Sequence, residues 1–289
     1  MASIRLIRRR IRSVQNIAQI TRAMQMVAAS KMRRAQEVAE LGKLYADKIY
    51  RATRELAGRT EEAVHPLLGP GNPVGRTLVI LISTNKGLCG GLNSTLFRHV
   101  SEWFAPGKGV DYLTVGKKGE SFIVRSGRKL IADFSVTVPF IENTPACVQL
   151  LVSGFIAGTY KQVYVVYSGF VNALKQTPVQ KLILPLAGLT KEEAVEKSTK
   201  AEEFSEFVIE PTIDEVLNAL LPHYLENQLR AAILEGEASE HSARMIAMKN
   251  ATDAAVDFTA ALTLQLNKAR QEKITYEIAD MVTARMAVQ

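Results

Sequence analysis

The chain has 289 residues, 47% apolar and 22% charged, enough for one or two domains of ordinary soluble composition. Two cysteines and four histidines without paired ligand spacing exclude a disulfide framework and a structural metal, and point to a reducing compartment. The net charge of +7 is unevenly placed: Arg5, Arg8, Arg9, Arg10, Arg12, Arg22, Lys31, Arg33 and Arg34 precede the first carboxylate, Glu37, a block suited to an acidic surface, an anionic lipid or a nucleic acid.

The first element is a long helix over 4–58. Ile4, Ile7, Ile11, Val14, Ala18, Thr21, Gln25, Ala28 and Met32 recur at alternating steps of three and four, the seam of a coiled coil. Ile17, Ile20, Met24 and Val27 form a second row beside it, so the expected buried stripe is wider than a two-stranded seam needs. No proline occurs before Pro66, and the helix is rich in Ala, Arg, Met and Gln. The basic N-terminus lacks the apolar core of a signal peptide. It runs straight into the seam, so it reads as structure and not as a transit peptide.

Composition then changes. Segment 77–84 (TLVILIST) reads as a fully buried strand. It is followed by a glycine-rich turn over 85–93, a helix to Phe104, a strand at 112–115, a short helix at 117–126 and a strand at 130–136. A helix at 145–160 and a strand hairpin, 163–168 with 179–184, complete the alternation, which predicts a small open mixed α/β sheet. Charged residues 191–203 suggest a helix and 204–209 an edge strand. The last helix is expected from Pro222, in its first turn, to Gln289. Its seam is Leu225, Leu229, Ile233, Met245, Met248, Thr252, Ala255, Thr259, Leu262, Leu266 and Ala269, then Ile274, Ile278, Met281 and Val282.

The expected fold class is therefore α/β: a long antiparallel coiled coil of N- and C-terminal helices with an inserted small Rossmann-like α/β domain. The domains would be 1–58, 75–210 and 211–289. The second helix outruns the first by a dozen or more residues, and an apolar overhang exposed to water requires a cover, for which a sleeve of other subunits is the natural candidate. All eight methionines lie in the terminal segments, where Met serves as helix former and gap filler or as an adaptable sliding contact. Such an architecture implies transmission of force or position.

Motifs for chemistry are sparse. The turn TNKGLCGGLN (84–93) stands where a phosphate-binding nest would sit, but its spacing matches neither a P-loop nor a dinucleotide fingerprint. A structural tight turn and an anion-binding loop using Gly87 to Gly91 both stand at this point. No nucleophile elbow, metal-spaced cluster or carboxylate pair is present, and Glu37, Glu40 and Asp47 read as solvated charge. The basic block has no aromatic residue before Tyr45, which disfavours nucleic acid.

Four motifs carry a family resemblance: RIRSVQNIAQITRAMQMVAASKM (10–32), GLCGGLN (87–93), SEHSARM (239–245) with Met248, and NKARQEKIT (267–275). In order and over essentially the whole chain they resemble the gamma subunit of F-type ATP synthase. The resemblance implies a central rotor shaft, non-catalytic and without cofactor. Such a shaft lies inside a ring of three alpha and three beta subunits and is seated on the epsilon subunit and the membrane c-ring. It couples transmembrane proton flow to ATP synthesis or hydrolysis at the beta sites by rotation. Carried over by position, Met24, Arg244, Arg270, Gln271 and Thr275 correspond to shaft contacts with the collar, and Phe207 and Glu210 to foot contacts with the c-ring and epsilon. Asp280 replaces the usual Glu, and Arg285 places a charge among the apolar tip residues. Cys89 and Cys147 match no inserted dithiol switch. The implied location is peripheral, on the cytoplasmic face of a bacterial plasma membrane. A passive coiled-coil scaffold and an anion- or nucleotide-binding protein using the 87–91 loop are the alternatives.

Overall fold

The computed structural model describes residues 4–58, 65–105, 107, 109–186 and 210–288. Helix α1 spans Ile4–Gly58, and the chain ends in a 76-residue helix, α5, Ile213–Val288. At 1.5 Å per residue these are about 80 and 115 Å long. Between them lie β1 (Arg76–Ile82), α2 (Leu92–Trp103), β2 (Val110–Val115), α3 (Lys117–Arg125), β3 (Lys129–Asp133), a 3-10 turn (Phe140–Asn143), α4 (Thr144–Ile156), β4 (Tyr160–Phe170) and β5 (Gln176–Leu184). The chain groups into two compact units, 31–243 and the pair 1–30 with 244–289.

The larger unit is built on a five-stranded sheet of order β3-β2-β1-β4-β5. The first four strands are mutually parallel, and β5 returns antiparallel to β4 as the expected hairpin. Central β1 is covered on both sides, which is why its sequence is continuously apolar. Leu78, Ile80 and Ile82 join Cys147, Leu151 and Phe155 of α4 and Leu217, Leu221, Leu225, Leu229 and Ile233 of α5 in one core. Val79 and Leu81 meet Leu96 and Val100 of α2 and Ile123 of α3 in the other. The N-terminal third of α5 is thus an integral layer of the α/β unit.

Strand ends shift by a few residues, and three larger differences from expectation have clear physical causes. Helix α5 begins at Ile213, nine residues before Pro222, and the proline lies inside it. An interior proline forfeits a hydrogen bond, here to the Asn218 carbonyl, and costs about 3 kcal/mol. Leu217, Leu221 and Leu225 are fully buried on both sides of it, and at about 1.5–3 kcal/mol each their burial offsets that cost. Helix α4 stops at Ile156, four residues early. Gly158, at φ +73°, turns the chain and donates its N–H to Phe155 O, which frees Tyr160 to open β4. A 3-10 turn at Phe140–Asn143, held by Asn143 Nδ2 donating to Phe134 O and Thr137 O, precedes α4 where no element was expected. The expected helix over 191–203 and edge strand over 204–209 fall outside the described residues.

Polar contacts fasten α5 to the hairpin. The Glu235 carboxylate accepts from Tyr167 Oη (2.9 Å) and from the Phe170 amide (3.1 Å). About two turns further, Ser242 Oγ donates to Ala173 O at 2.6 Å. Burial and the adjoining Glu235 charge push the Tyr167 phenol well above its ordinary pKa, so it remains a donor.

Candidate functional site

In the smaller unit α1 and α5 pair through the expected seam. On α1, Ile7, Thr21 and Ala28 are buried and Ile4, Ile11, Val14, Ala18 and Gln25 are partly covered; Met32, in the larger unit, is partly covered as well. On α5, Met248, Ala255 and Leu262 are buried, and Met245, Thr252, Thr259, Leu266 and Ala269 are partly covered. Midway, Thr21 Oγ1 and Thr252 Oγ1 share a 2.7 Å hydrogen bond across the pair. This polar contact favours one register, since a shift loses the bond across the pair, although each hydroxyl also reaches the carbonyl four residues back, Ile17 O (3.0 Å) and Met248 O (2.8 Å). In the larger unit Tyr45 Oη and His223 Nε2 lie 2.6 Å apart, so α1 and α5 are also in contact there.

The second row does not share this burial. Ile17 is 49%, Ile20 60% and Val27 57% exposed, and only Met24 of that row is half-covered. The wide stripe read from the sequence is therefore a two-stranded seam with an uncovered apolar edge beside it. Beside that edge stand Arg5, Arg8, Arg9, Arg10 and Arg12, all exposed. Cations in the opening turns oppose the helix dipole, so helix stability does not account for them.

Beyond Ala269 the covering of α5 stops. Every residue over 270–286 is exposed, including Ile274, Ile278, Met281, Val282 and Met286, yet the helix continues unbroken. The phase of the pattern also changes here. At about 100° per residue, the seam direction of Leu262, Leu266 and Ala269 continues into Lys273, Glu277 and Asp280, all polar. Lys273 and Glu277 form an ion pair of 3.3 Å on that charged side. Ile274, Ile278 and Met281 lie roughly a third of a turn round the helix. The apolar side of this end is thus a separate surface, not an extension of the face that packs on α1.

The residues singled out by sequence divide accordingly. Met24 is half-buried beside the α1 seam, and Arg244 is half-buried at the first α5 residue of the smaller unit. Arg270, Gln271, Thr275 and Asp280 are all exposed on the uncovered end. Gln271 and Thr275 stand one turn apart, and Thr275 Oγ1 donates to Gln271 O at 3.0 Å. Glu210 is exposed just ahead of α5, and Phe207 lies outside the described residues.

The glycine-rich turn occupies the C-terminal end of β1, between its neighbours β2 and β4. This is the crevice where open α/β sheets commonly take ligands. Here it is lined by Ile82, Thr84, Asn93 and Phe140, and closed by Gly236, Glu237 and Glu240 of α5. The turn's polar groups serve the turn: Thr84 Oγ1 donates to Lys86 O (2.9 Å), and Asn93 Nδ2 donates to Thr84 Oγ1 (2.8 Å) and Cys89 Sγ (3.4 Å). Two carboxylates facing the crevice oppose an anion. This geometry favours the structural turn over the anion-binding loop.

Burial raises the Glu237 pKa, the Glu240 charge raises it further, and Lys31 offsets part of the rise. A carboxyl whose folded-state pKa lies above its unfolded value costs stability where it is ionised. The cost fades as pH falls through the folded value and is gone below the ordinary 4.5. Glu237→Gln is therefore expected to raise the melting temperature at pH 8 and to leave it unchanged at pH 4, as calorimetry would show. Both cysteines are buried and outside any disulfide, and burial pushes the Cys147 thiol up to about 12, which disfavours redox switching at that residue.

Comparison with known proteins agrees with the shape of these elements. The family model described as ATP synthase matches residues 3–288. The ATP synthase gamma chain of Roseiflexus castenholzii is 40% identical, with 100% of this chain and 99% of that one covered. That of Legionella pneumophila is 38% identical over the full length of both. Among solved structures, a central stalk/c-ring chain of the Tetrahymena thermophila mitochondrial ATP synthase is similar at 26% identity and a TM-score of 0.58, covering 80% of this chain and 99% of that one. A chain from the Euglena gracilis mitochondrial ATP synthase shares the fold at a TM-score of 0.65 and 18% identity, over 99% of this chain and 94% of that one. With its two seamed helices, its inserted α/β unit and full-length matches of this kind, the chain belongs to the ATP synthase gamma-chain family, a non-catalytic rotor subunit of the central stalk.

Proposed function

We propose that α1 and α5 form the shaft of the rotor and that residues 75–210 form its foot, with 1–58 and 211–289 assigned to the shaft. The end of α5 turns inside a collar of alpha and beta subunits, and the foot bears on the epsilon subunit and the c-ring. Proton flow rotates the assembly and drives ATP synthesis at the beta sites; hydrolysis drives it in reverse. The observation that carries this reading is the uncovered end of α5: 17 consecutive exposed residues, 270–286, with an apolar side of their own. Left in water such a surface is unfavourable, so a partner covers it.

The physical requirements of a shaft match its parts. Torsional stiffness comes from pairing two helices, with Thr21 and Thr252 favouring one register. The bonds from Glu235 and Ser242 to the hairpin hold α5 to the sheet that would receive torque from below. At the turning end, non-directional apolar contacts permit slip, and a few polar groups mark particular angles. To that second role we assign Arg270, Gln271, Thr275 and Asp280, with Met24 and Arg244 touching the collar lower down and Phe207 and Glu210 facing c-ring and epsilon. The exposed arginines of the first turns suit an acidic collar surface. Among the described residues no helix is long and apolar enough to cross a membrane, so attachment runs through partners. The bacterial relatives support the cytoplasmic face of a plasma membrane as the location.

Two measurements test this. Affinity purification from the native host should bring down nucleotide-binding subunits in stoichiometric amounts. In the reconstituted complex, Gln271→Leu should lower ATP-driven proton pumping per ATP hydrolysed severalfold without unfolding the chain. Unchanged coupling would remove the role given to that residue.

A further inference from the structure

Within the apolar side of the α5 end, whose angular range also takes in Gln271, one charged residue stands at the centre. At about 100° per residue, Arg285 falls between Ile278 and Met281 in angle, at the centre of the side formed with Ile274. Its neighbours one turn back, Met281 and Val282, are apolar and are 65% and 49% exposed. Asp280 lies on the opposite, charged side with Lys273 and Glu277. Arg285 is itself exposed.

A cation in the last turn is favoured by the helix dipole, but the dipole acts equally all round the helix. It does not explain why the charge stands in the middle of the surface that a partner must cover. Covering that surface takes the guanidinium out of water, and an unpaired buried charge is strongly unfavourable. A guanidinium presents a planar fork of donors that a carboxylate matches with two hydrogen bonds.

Resting on the shaft reading above, we propose that the surface covering the apolar side of the α5 end places an acidic side chain, aspartate or glutamate, against Arg285. Apolar contact seats the helix end, and this pair fixes its height and preferred angle. Charge complementarity selects the occupant: an aliphatic surface without an acid would exclude this helix end as it stands.

The test uses the whole complex, with this chain reassembled onto its purified nucleotide-binding ring subunits. Dissociation is measured from 50 to 500 mM salt, alongside photocrosslinking from a probe amino acid at position 285. Arg285→Met, which keeps apolar bulk, is expected to weaken association about tenfold at low salt and to flatten its salt dependence. Arg285→Lys should restore part of the loss, Arg285→Glu should weaken association further, and crosslinks should fall on a peptide containing Asp or Glu beside the probe. If Arg285→Met binds as tightly as the native chain with the same salt slope, the pairing is overturned and the residue serves the helix dipole. Crosslinks to peptides without an acid would overturn it too. Ile278→Ser separates the two levels of the argument. If it weakens association while Arg285→Met does not, only the pairing fails; if neither has an effect, the seating of the helix end fails with it.

Discussion

Truncation after Ala269 should leave the chain folded and its rotor function severely impaired. Residues 270–286 are all exposed, and their side-chain hydrogen bonds, such as Thr275 to Gln271 and Thr283 to Ala279, are local. Their removal is therefore expected to shift the melting temperature by no more than a few degrees. The same residues carry Ile274, Ile278, Met281, Val282 and Met286, each offering about 1.5–3 kcal/mol if fully buried by a partner. Ordering and desolvation consume much of that sum, and the remainder still amounts to several kcal/mol. Coupled ATP synthesis by the reassembled complex should fall about tenfold or more, with weaker retention of the subunit on the ring. A truncated chain that melts normally and couples normally would show that the exposed end is ornamental.

The largest effect on stability is expected at Gly116. It sits between β2 and α3 at φ +111°, and a Cβ there would stand 2.1 Å from Ser83 O. The approach is close because two loops are laced together at that point. Ser83 Oγ donates to Gly116 O (3.0 Å) and accepts from Gly119 N (2.7 Å), while Lys118 N donates to Thr84 O (3.0 Å). Gly116→Ala meets backbone and not a yielding side chain, in a conformation costly for any L-residue. A loss of about 4 kcal/mol or more is expected in denaturant unfolding. Because Ser83 and Thr84 line the crevice against α5, the damage should reach the attachment of that helix. Gly127→Ala is the control: its φ of +65° is also positive, but nothing lies within 4 Å of the added carbon, so a cost of about 1 kcal/mol is expected.

How much of this was legible in the sequence follows from the range of the interactions involved. The seam from Ile7 to Ala28 and from Met248 to Leu262 is written locally as steps of three and four, and the structure buries or partly covers those positions. β1 was legible because burial on both faces leaves a continuous apolar run. The row Ile17, Ile20 and Val27 was read correctly as apolar but not as uncovered. Periodicity reports which residues avoid water, not whether this chain or another supplies the cover. Pro222 misled because local propensity marks it as a start, whereas Leu217 and Leu221 bind the preceding turns to a core the sequence does not display. The roles of Glu235 and Glu237 left no local signal. Each is one acid in a long helix, and its meaning comes from Tyr167, Phe170 or Lys31, far away in the chain. The change of phase after Ala269 was present in the spacing of Lys273, Ile274 and Ile278, and became informative only once the covered and uncovered stretches of α5 were known.

Rotation itself can be observed directly. Leu174, at the hairpin turn, is 83% exposed, and both native cysteines are buried, so Leu174→Cys accepts a single label selectively. With the ring subunits of the reassembled complex fixed to a surface and ATP supplied, a bead on that cysteine should turn continuously in one direction. A bead that stays still while the same complexes hydrolyse ATP would contradict the rotor account.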